Sequence, residues 1–323
     1  MSSTQRAFMD WFGLSVPILQ APIGGCATVE LVRAVGQAGA LGSLACTWTP
    51  EADLERQLGA LKPAHVPYFL NYVLRFGRGT LDAALRHRPP AVTFSWGISA
   101  ELIDAVKSAG ARAGVQVASV AGARAAIAAG ADFVIVQGLE AGGHVQSSMP
   151  LKPLLAGALA VSGAVPVVAA GGLACGADIA EVLRQGAAAV MMGTRFVATR
   201  EADAHADYKQ ALIAAKSSDT AWTNCFDIDW PYAMHRVLRN STLDMWEAAG
   251  CPAAPNRPGE GDVVARHGSA AVRRYSDTSP AVNATGDTLA ACLYAGTGVD
   301  HISDAPPAAE VVNRLWADTR RHL

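Results

Sequence analysis

Charge is scarce in this chain: Asp, Glu, Lys and Arg make up 17% of its 323 residues, the net charge is −2, and no basic block occurs. Such a sequence lacks the positive footprint that nucleic-acid binding needs, so no nucleic acid is expected as a partner. Apolar runs long enough to cross a bilayer are also missing, and no membrane association is expected. The opening "MSSTQRAFMDWFGLSV" has neither the apolar core nor the cleavage site of a secretory signal, which leads to the expectation of a cytoplasmic location. The six cysteines, Cys26, Cys46, Cys175, Cys225, Cys251 and Cys292, form no CxxC pair and no Cys/His zinc spacing. They read as free thiols of a reducing compartment, with no metal expected.

What is present is apolar and small. Hydrophobic residues make up 51% of the chain and glycine occurs 31 times, enough for a large core and against generic disorder. Short apolar runs at 16–20, 41–44, 67–72, 91–96, 114–118, 132–136, 165–170 and 188–193 alternate with Ala-rich helical stretches at 28–38, 50–61, 79–87, 99–109, 120–129, 150–159, 176–185 and 203–215. Continuous apolar strands separated by helices imply a parallel sheet buried on both faces. An α/β fold of the (β/α)8 TIM-barrel class accounts for the eight-fold count. A doubly wound open sheet is the alternative, but "APIGGCATVE" after the first strand is not the GxGxxG of its nucleotide-binding form. The texture changes near 215, and "CPAAPNRPGEGD" is a Pro/Gly-rich break. The expected organisation is a barrel over 1–215, a smaller capping segment over 216–285, and a return over 286–323. That return has a short helix near 286–295 and a last helix near 306–321.

In a barrel, chemistry gathers where strands end. Gly171 and Gly172 end the seventh run and precede a helix; Gly193 and Thr194 end the eighth. Such a pair of loops, with a helix N-terminus facing the anion, is a phosphate site; two tight turns of small residues are the plainer alternative. Asn71, Gln116 and Gln137 stand at the ends of the third, fifth and sixth runs. Their amides can meet the mixed donors and acceptors of a flavin, or simply cap loop backbone. His144, in "QGLEAGGHVQSS", is the histidine of a predicted strand-end loop and the candidate for proton transfer or donation. Glu140 nearby could orient the loop or act as a base. Asp227 and Asp229 in "CFDIDW" are spaced like a metal pair but lack a third ligand. Trp48, Phe94, Trp96 and Tyr294 are candidates for an apolar wall or for ordinary core.

"QAPIGG", "QGLEAGGH", "VPVVAAGGLACGADIAEVLRQGAAAVMMGTRF" and "YAGTGVDHI" together resemble the nitronate monooxygenase family, formerly called 2-nitropropane dioxygenases. FMN-dependent enoyl-acyl-carrier-protein reductases and NADH:quinone reductases look similar over the same stretches. The resemblance implies FMN as cofactor, with the backbone of Ala21, Pro22 and Ile23 along the flavin and Asn71, Gln116 and Gln137 bonded to its ring or ribityl chain. It places Gly142, Gly171, Gly172, Gly193 and Thr194 around the phosphate, and His144 as the catalytic group on the reactive face. The implied reaction is oxidative denitrification of alkyl nitronates, with nitroalkanes as further substrates, by O2 to a carbonyl compound and nitrite. An NAD(P)H-dependent flavin reductase is the alternative, and a non-catalytic barrel binding a phosphorylated ligand is the third reading. A homodimer is compatible with the sequence. Val145-Gln146-Ser147 and Ala295-Gly296-Thr297-Gly298 depart from the family's usual wording, which leaves the substrate open.

Overall fold

The apolar runs become strands because each is buried on both faces, where β-branched and aliphatic side chains pack without polar loss. In the computed structural model, which describes residues 2–323, the chain-order strands are β1 (Ile18–Gln20), β2 (Gly42–Ala45), β3 (Tyr68–Val73), β4 (Ala91–Ser95), β5 (Arg112–Val117), β6 (Phe133–Gln137), the short β7 (Gly143–His144), β8 (Val167–Ala170) and β9 (Ala189–Met192). All but β7 form one eight-stranded parallel sheet in the order β1-β9-β8-β6-β5-β4-β3-β2. Its two ends meet: the Leu41 N–H donates to the Ile18 carbonyl (3.0 Å) and the Gln20 N–H to that of Leu41 (2.9 Å). The sheet therefore closes into the expected (β/α)8 barrel.

The helices of the ring start where the sequence supplies caps. Thr28, Ser99 and Ser119 accept from the Leu31, Leu102 and Gly122 amides at the starts of Val29–Gln37, Ala100–Ser108 and Val120–Ala128, each a cap worth about 1 kcal/mol. Two expectations about helices need correction. The helix expected at 203–215 is Ala206–Ala214, and its Tyr208 and Leu212 pack with Leu293, Val299 and Ile302 rather than in the ring. The ring position beside Gly176–Gln185 and Val29–Gln37 is instead filled by the C-terminal helix Ala308–His322, whose buried Val311, Val312 and Leu315 belong to the barrel core. The short helix expected near 286–295 is only a 3-10 turn, Thr288–Ala290. One helix was not expected at all. Ser3–Phe12 lies across the barrel floor, where Phe8 meets Phe133 edge-on at 5.4 Å.

The segment after the barrel strands forms two small antiparallel sheets. β10 (Thr220–Thr223) pairs with β11 (His235–Leu238), which pairs in turn with β7. β12 (Val263–His267) lies between β13 (Ala270–Arg273) and β14 (Ala284–Gly286). Among the described residues no helix is long and apolar enough to cross a membrane.

Candidate functional site

Parallel barrel strands all end on one face, and that face opens into a cavity of about 810 Å3. The lining brings together His144 and all the residues that the resemblance assigns to the cofactor. Ala21, Pro22 and Ile23 follow β1, Asn71 lies in β3, Gln116 in β5, and Gln137 ends β6. Gly142 and His144 come from the next loop, Gly171 and Gly172 follow β8, and Gly193 and Thr194 follow β9.

The loop carrying His144 is fixed from three sides. Gln137 Nε2 donates to the His144 carbonyl (3.2 Å), and its Oε1 accepts from the Gln146 N–H (3.4 Å). β7 pairs with β11, setting His144 opposite His235 and Gly143 opposite Arg236. The Arg236 guanidinium donates to the Leu139 carbonyl from Nε (3.2 Å) and Nη2 (3.0 Å). On the third side the chain passes so close at Gly142 that a Cβ there would lie 2.5 Å from the Gly296 nitrogen. Thr194 Oγ1 accepts from that same Gly296 N–H at 3.0 Å. Gln137 thus braces the loop with its whole amide. Asn71 commits only Nδ2, which donates to Thr93 Oγ1 at 2.9 Å, so its carbonyl oxygen is the half left for a ligand.

Gly171 and Gly172 have φ of +118° and +70°, backbone that glycine adopts at little cost. The helix that follows, Gly176–Gln185, does not offer its N-terminus as expected. The Gly176 N–H donates to Asp318 Oδ2 (3.0 Å) and the Ala174 N–H to Asp178 Oδ2 (3.4 Å). The helix start that opens on the cavity is the single turn Thr194–Val197, whose first N–H groups have no intrahelical partner.

His144 sits in an aromatic setting. Its ring stacks on Trp230 with centroids 4.1 Å apart and planes at 29°, with Tyr294 and His235 each at 5.5 Å. Nε2 is buried without a hydrogen-bond partner and lies 4.0 Å from Asp277 Oδ2. Burial, and secondarily His235, hold the imidazole down at about 3, so it is neutral at physiological pH. His235 is a satisfied core histidine. Its Nδ1 donates to the Ala233 carbonyl (2.9 Å), while Nε2 accepts from the Phe226 N–H (3.2 Å). Asp277 behaves in the opposite sense: burial, then the charge of Asp229 and a hydrogen bond with it, push its carboxyl up to about 7. Asp229 in turn accepts from Ser276 Oγ at 2.7 Å.

Trp48, Trp96 and Tyr294 line the cavity, whereas Phe94 is wholly buried in the barrel core. Trp96 has φ +55°, a left-handed conformation that bulky residues adopt only when their surroundings impose it. Trp230 and Asp277 are site residues that the sequence did not reveal; both lie far along the chain, in a segment without a strand-end signal. Glu140 does not reach the main cavity: its Oε2 accepts from the Leu151 N–H (2.9 Å) and so caps the next helix. Asp227 pairs with Arg257 rather than with Asp229. Outside the main cavity, Cys175, Asp178 and His301 bring ligand-type atoms within 4.8 Å of one another, but Asp178 already serves the Ala174 amide.

The family model described as nitronate monooxygenase matches residues 68–318, from β3 into the C-terminal helix. The nitronate monooxygenase of Pseudomonas aeruginosa is 32% identical over 97% of this chain and 99% of that protein. The chain belongs to the nitronate monooxygenase family. It is accordingly an oxidoreductase, which sets aside the non-catalytic barrel. Among solved structures, the nitroalkane oxidase of Streptomyces ansochromogenes superposes with a TM-score of 0.80 at 28% identity, covering 98% of both chains. FabK of Thermotoga maritima superposes with a TM-score of 0.80 at 27% identity, covering 98% of this chain and 96% of that one. In this member of the nitronate monooxygenase family, the departure Ala295–Gly298 has a structural task. Gly296 bonds Thr194, and the Thr297 N–H donates to the Glu140 carbonyl (3.0 Å), so this segment clamps the His144 loop against the barrel.

Proposed function

We propose that this chain oxidises alkyl nitronates at a flavin held in the barrel mouth, with O2 as oxidant and a carbonyl compound and nitrite as products. The observation that carries this reading is His144: a neutral, buried imidazole on the cavity wall, with one ring nitrogen bonded to nothing.

The residues present fit FMN. The cavity of about 810 Å3 falls within the range of cofactor sites, about 300–1,000 Å3. Asn71 and Gln116 offer amide groups to a ring or ribityl chain. Gly171 and Gly172 permit close backbone approach, and the free N–H groups at Thr194 suit a phosphate. Among the described residues lining the cavity there is no lysine or arginine, so a single phosphate held by backbone dipoles is the anion this wall suits. When bound, the flavin supplies the electron chemistry.

The chain's own residues supply placement. A neutral His144 can donate its ring N–H to the nitronate oxygens, where charge is concentrated, in a site whose low polarity strengthens that bond. With a neutral nitroalkane the same imidazole faces the α-proton, but burial leaves it a weak base, so preformed nitronate is the favoured substrate. Gln137, Arg236 and the Gly296–Thr194 contact hold His144 in place so that little ordering is left for the encounter. We read the chain up to about 205 as the barrel, the segment through 285 as a cap that excludes water from this site, and 286–323 as the return that completes the ring.

The test is turnover of preformed ethyl nitronate: nitrite should appear in step with O2 uptake and without NADH. The second reading, an NAD(P)H-dependent flavin reductase, draws on the FabK similarity. It predicts NAD(P)H oxidation and no nitrite. Against it stands a lining without a cation for a dinucleotide's phosphates.

A further inference from the structure

The wall around His144 is aromatic on one arc and acidic beside it. Trp48 follows β2, Trp96 follows β4, and Trp230 comes from the segment between β10 and β11. Of the barrel strands, β4, which precedes Trp96, stands opposite β9, where Gly193 begins the next loop. Trp96 packs on Trp230 at 4.6 Å, and Phe76 meets Trp230 edge-on at 4.8 Å and Trp48 at 5.1 Å. Trp48 is 60% exposed although it lines the cavity. Trp48 packs on Phe76 and Trp230, and its exposed face continues the aromatic wall that ends in Trp230 stacked on His144, an apolar surface open to a ligand.

The charges point the same way. Asp203, Asp229 and Asp277 line this cavity, and no lysine or arginine does so among the described residues. Asp277 lies 4.0 Å from His144, beside the group proposed to hold the nitronate. A substrate carrying a second negative charge in its tail would meet carboxylates and no counter-ion, which costs binding in a partly desolvated site.

We infer that the substrate class of this site is a nitronate bearing a neutral, aromatic or bulky hydrocarbon tail, seated against Trp48, Trp96 and Trp230, and that tails bearing a carboxylate are selected against. This rests on the nitronate reading above and adds to it the chemistry of the tail.

The purified flavoprotein, given the preformed nitronates of nitroethane, 2-phenyl-1-nitroethane and 3-nitropropionate, separates the two claims by nitrite release. The expected result is that kcat/KM for the phenyl nitronate exceeds that for the carboxylate-bearing one at least tenfold, with ethyl nitronate between them. Turnover of ethyl nitronate, with the carboxylate tail equal to or better than the phenyl tail, overturns the inference and leaves the proposed function standing. Absence of turnover with all three overturns both. As a second arm, Trp48→Ala, at an exposed position, should lower the phenyl-to-ethyl ratio of kcat/KM several-fold; an unchanged ratio overturns the seating of the tail on this wall.

Discussion

His144 and Trp230 stack face to face, centroids 4.1 Å apart and planes at 29°, although one comes from a barrel loop and the other from the segment between β10 and β11. The contact joins the two parts of the chain at the point where chemistry is proposed. It also accounts for the acid-base character of the site. An imidazole covered by an indole loses water, and that burial is the first cause of its lowered basicity.

Removing the imidazole should therefore cost catalysis and spare the fold. His144→Ala is expected to keep its circular dichroism and visible flavin absorbance and to lose about 10²–10⁴-fold in kcat/KM for nitronate. Unaltered kcat/KM in a flavin-loaded variant would remove His144 from the mechanism.

The pH profile should follow Asp277 rather than histidine. His144, held near 3, stays neutral throughout the neutral range and gives no inflection near the ordinary histidine value of about 6.5. Asp277, pushed up to about 7 by burial and by Asp229, is neutral below that pH and negative above it. The added charge faces an anionic substrate, so kcat/KM for preformed nitronate should fall as pH rises through about 7. In Asp277→Asn that fall should vanish. A rate that climbs with pH through this range would contradict the assignment.

Gly142 is a packing constraint. A methyl group there would sit 2.5 Å from the Gly296 nitrogen and 2.7 Å from the Ala295 carbonyl carbon, backbone that has no room to move. Gly142→Ala should push the Ala295–Gly298 clamp away and destabilise the protein by about 1–3 kcal/mol. Thermal melts read the loss, and flavin content should fall with it.

The segment beyond the barrel has its own anchor. Arg257 is almost fully buried, pairs with Asp227 and with both oxygens of Glu260 (2.5 and 2.6 Å), and lies over the Tyr275 ring at 4.4 Å. Arg257→Ala strands those carboxylates. It should lower stability by about 3 kcal/mol, the low end for a broken buried pair because both acids reach solvent. Limited proteolysis should then cut first within 216–285; uniform protection would argue against a local anchor.

Much of the barrel could be read directly because its physics is local. A strand buried on both faces needs an unbroken apolar run, and a helix after it needs a cap; both are short-range patterns, as "DFVIV" and Ser119 show. The cavity residues followed from strand ends, since parallel closure brings those ends together. What escaped the reading depends on long-range pairing. Trp230 lies just before β11, which pairs with β7, and Asp277 is drawn alongside by the Ile228 N–H bond to the Tyr275 carbonyl (3.2 Å), long-range pairings no local pattern announces. Likewise, the eighth ring helix comes from Ala308–His322 because the chain leaves the barrel at 206–214 and returns much later. The floor helix Ser3–Phe12 is a single short helix ahead of the first strand, with an apolar face of only Phe8, Met9 and Phe12, too brief a periodic signal to stand out in a polar segment.

The most direct measurement of the central claim is an anaerobic titration of the purified protein followed by its visible spectrum. The account predicts flavin absorbance in the isolated protein, its loss on adding ethyl nitronate, and little change on adding NADH. Loss of absorbance with NADH and none with nitronate, or a protein that is colourless and cannot be loaded with FMN, would contradict it.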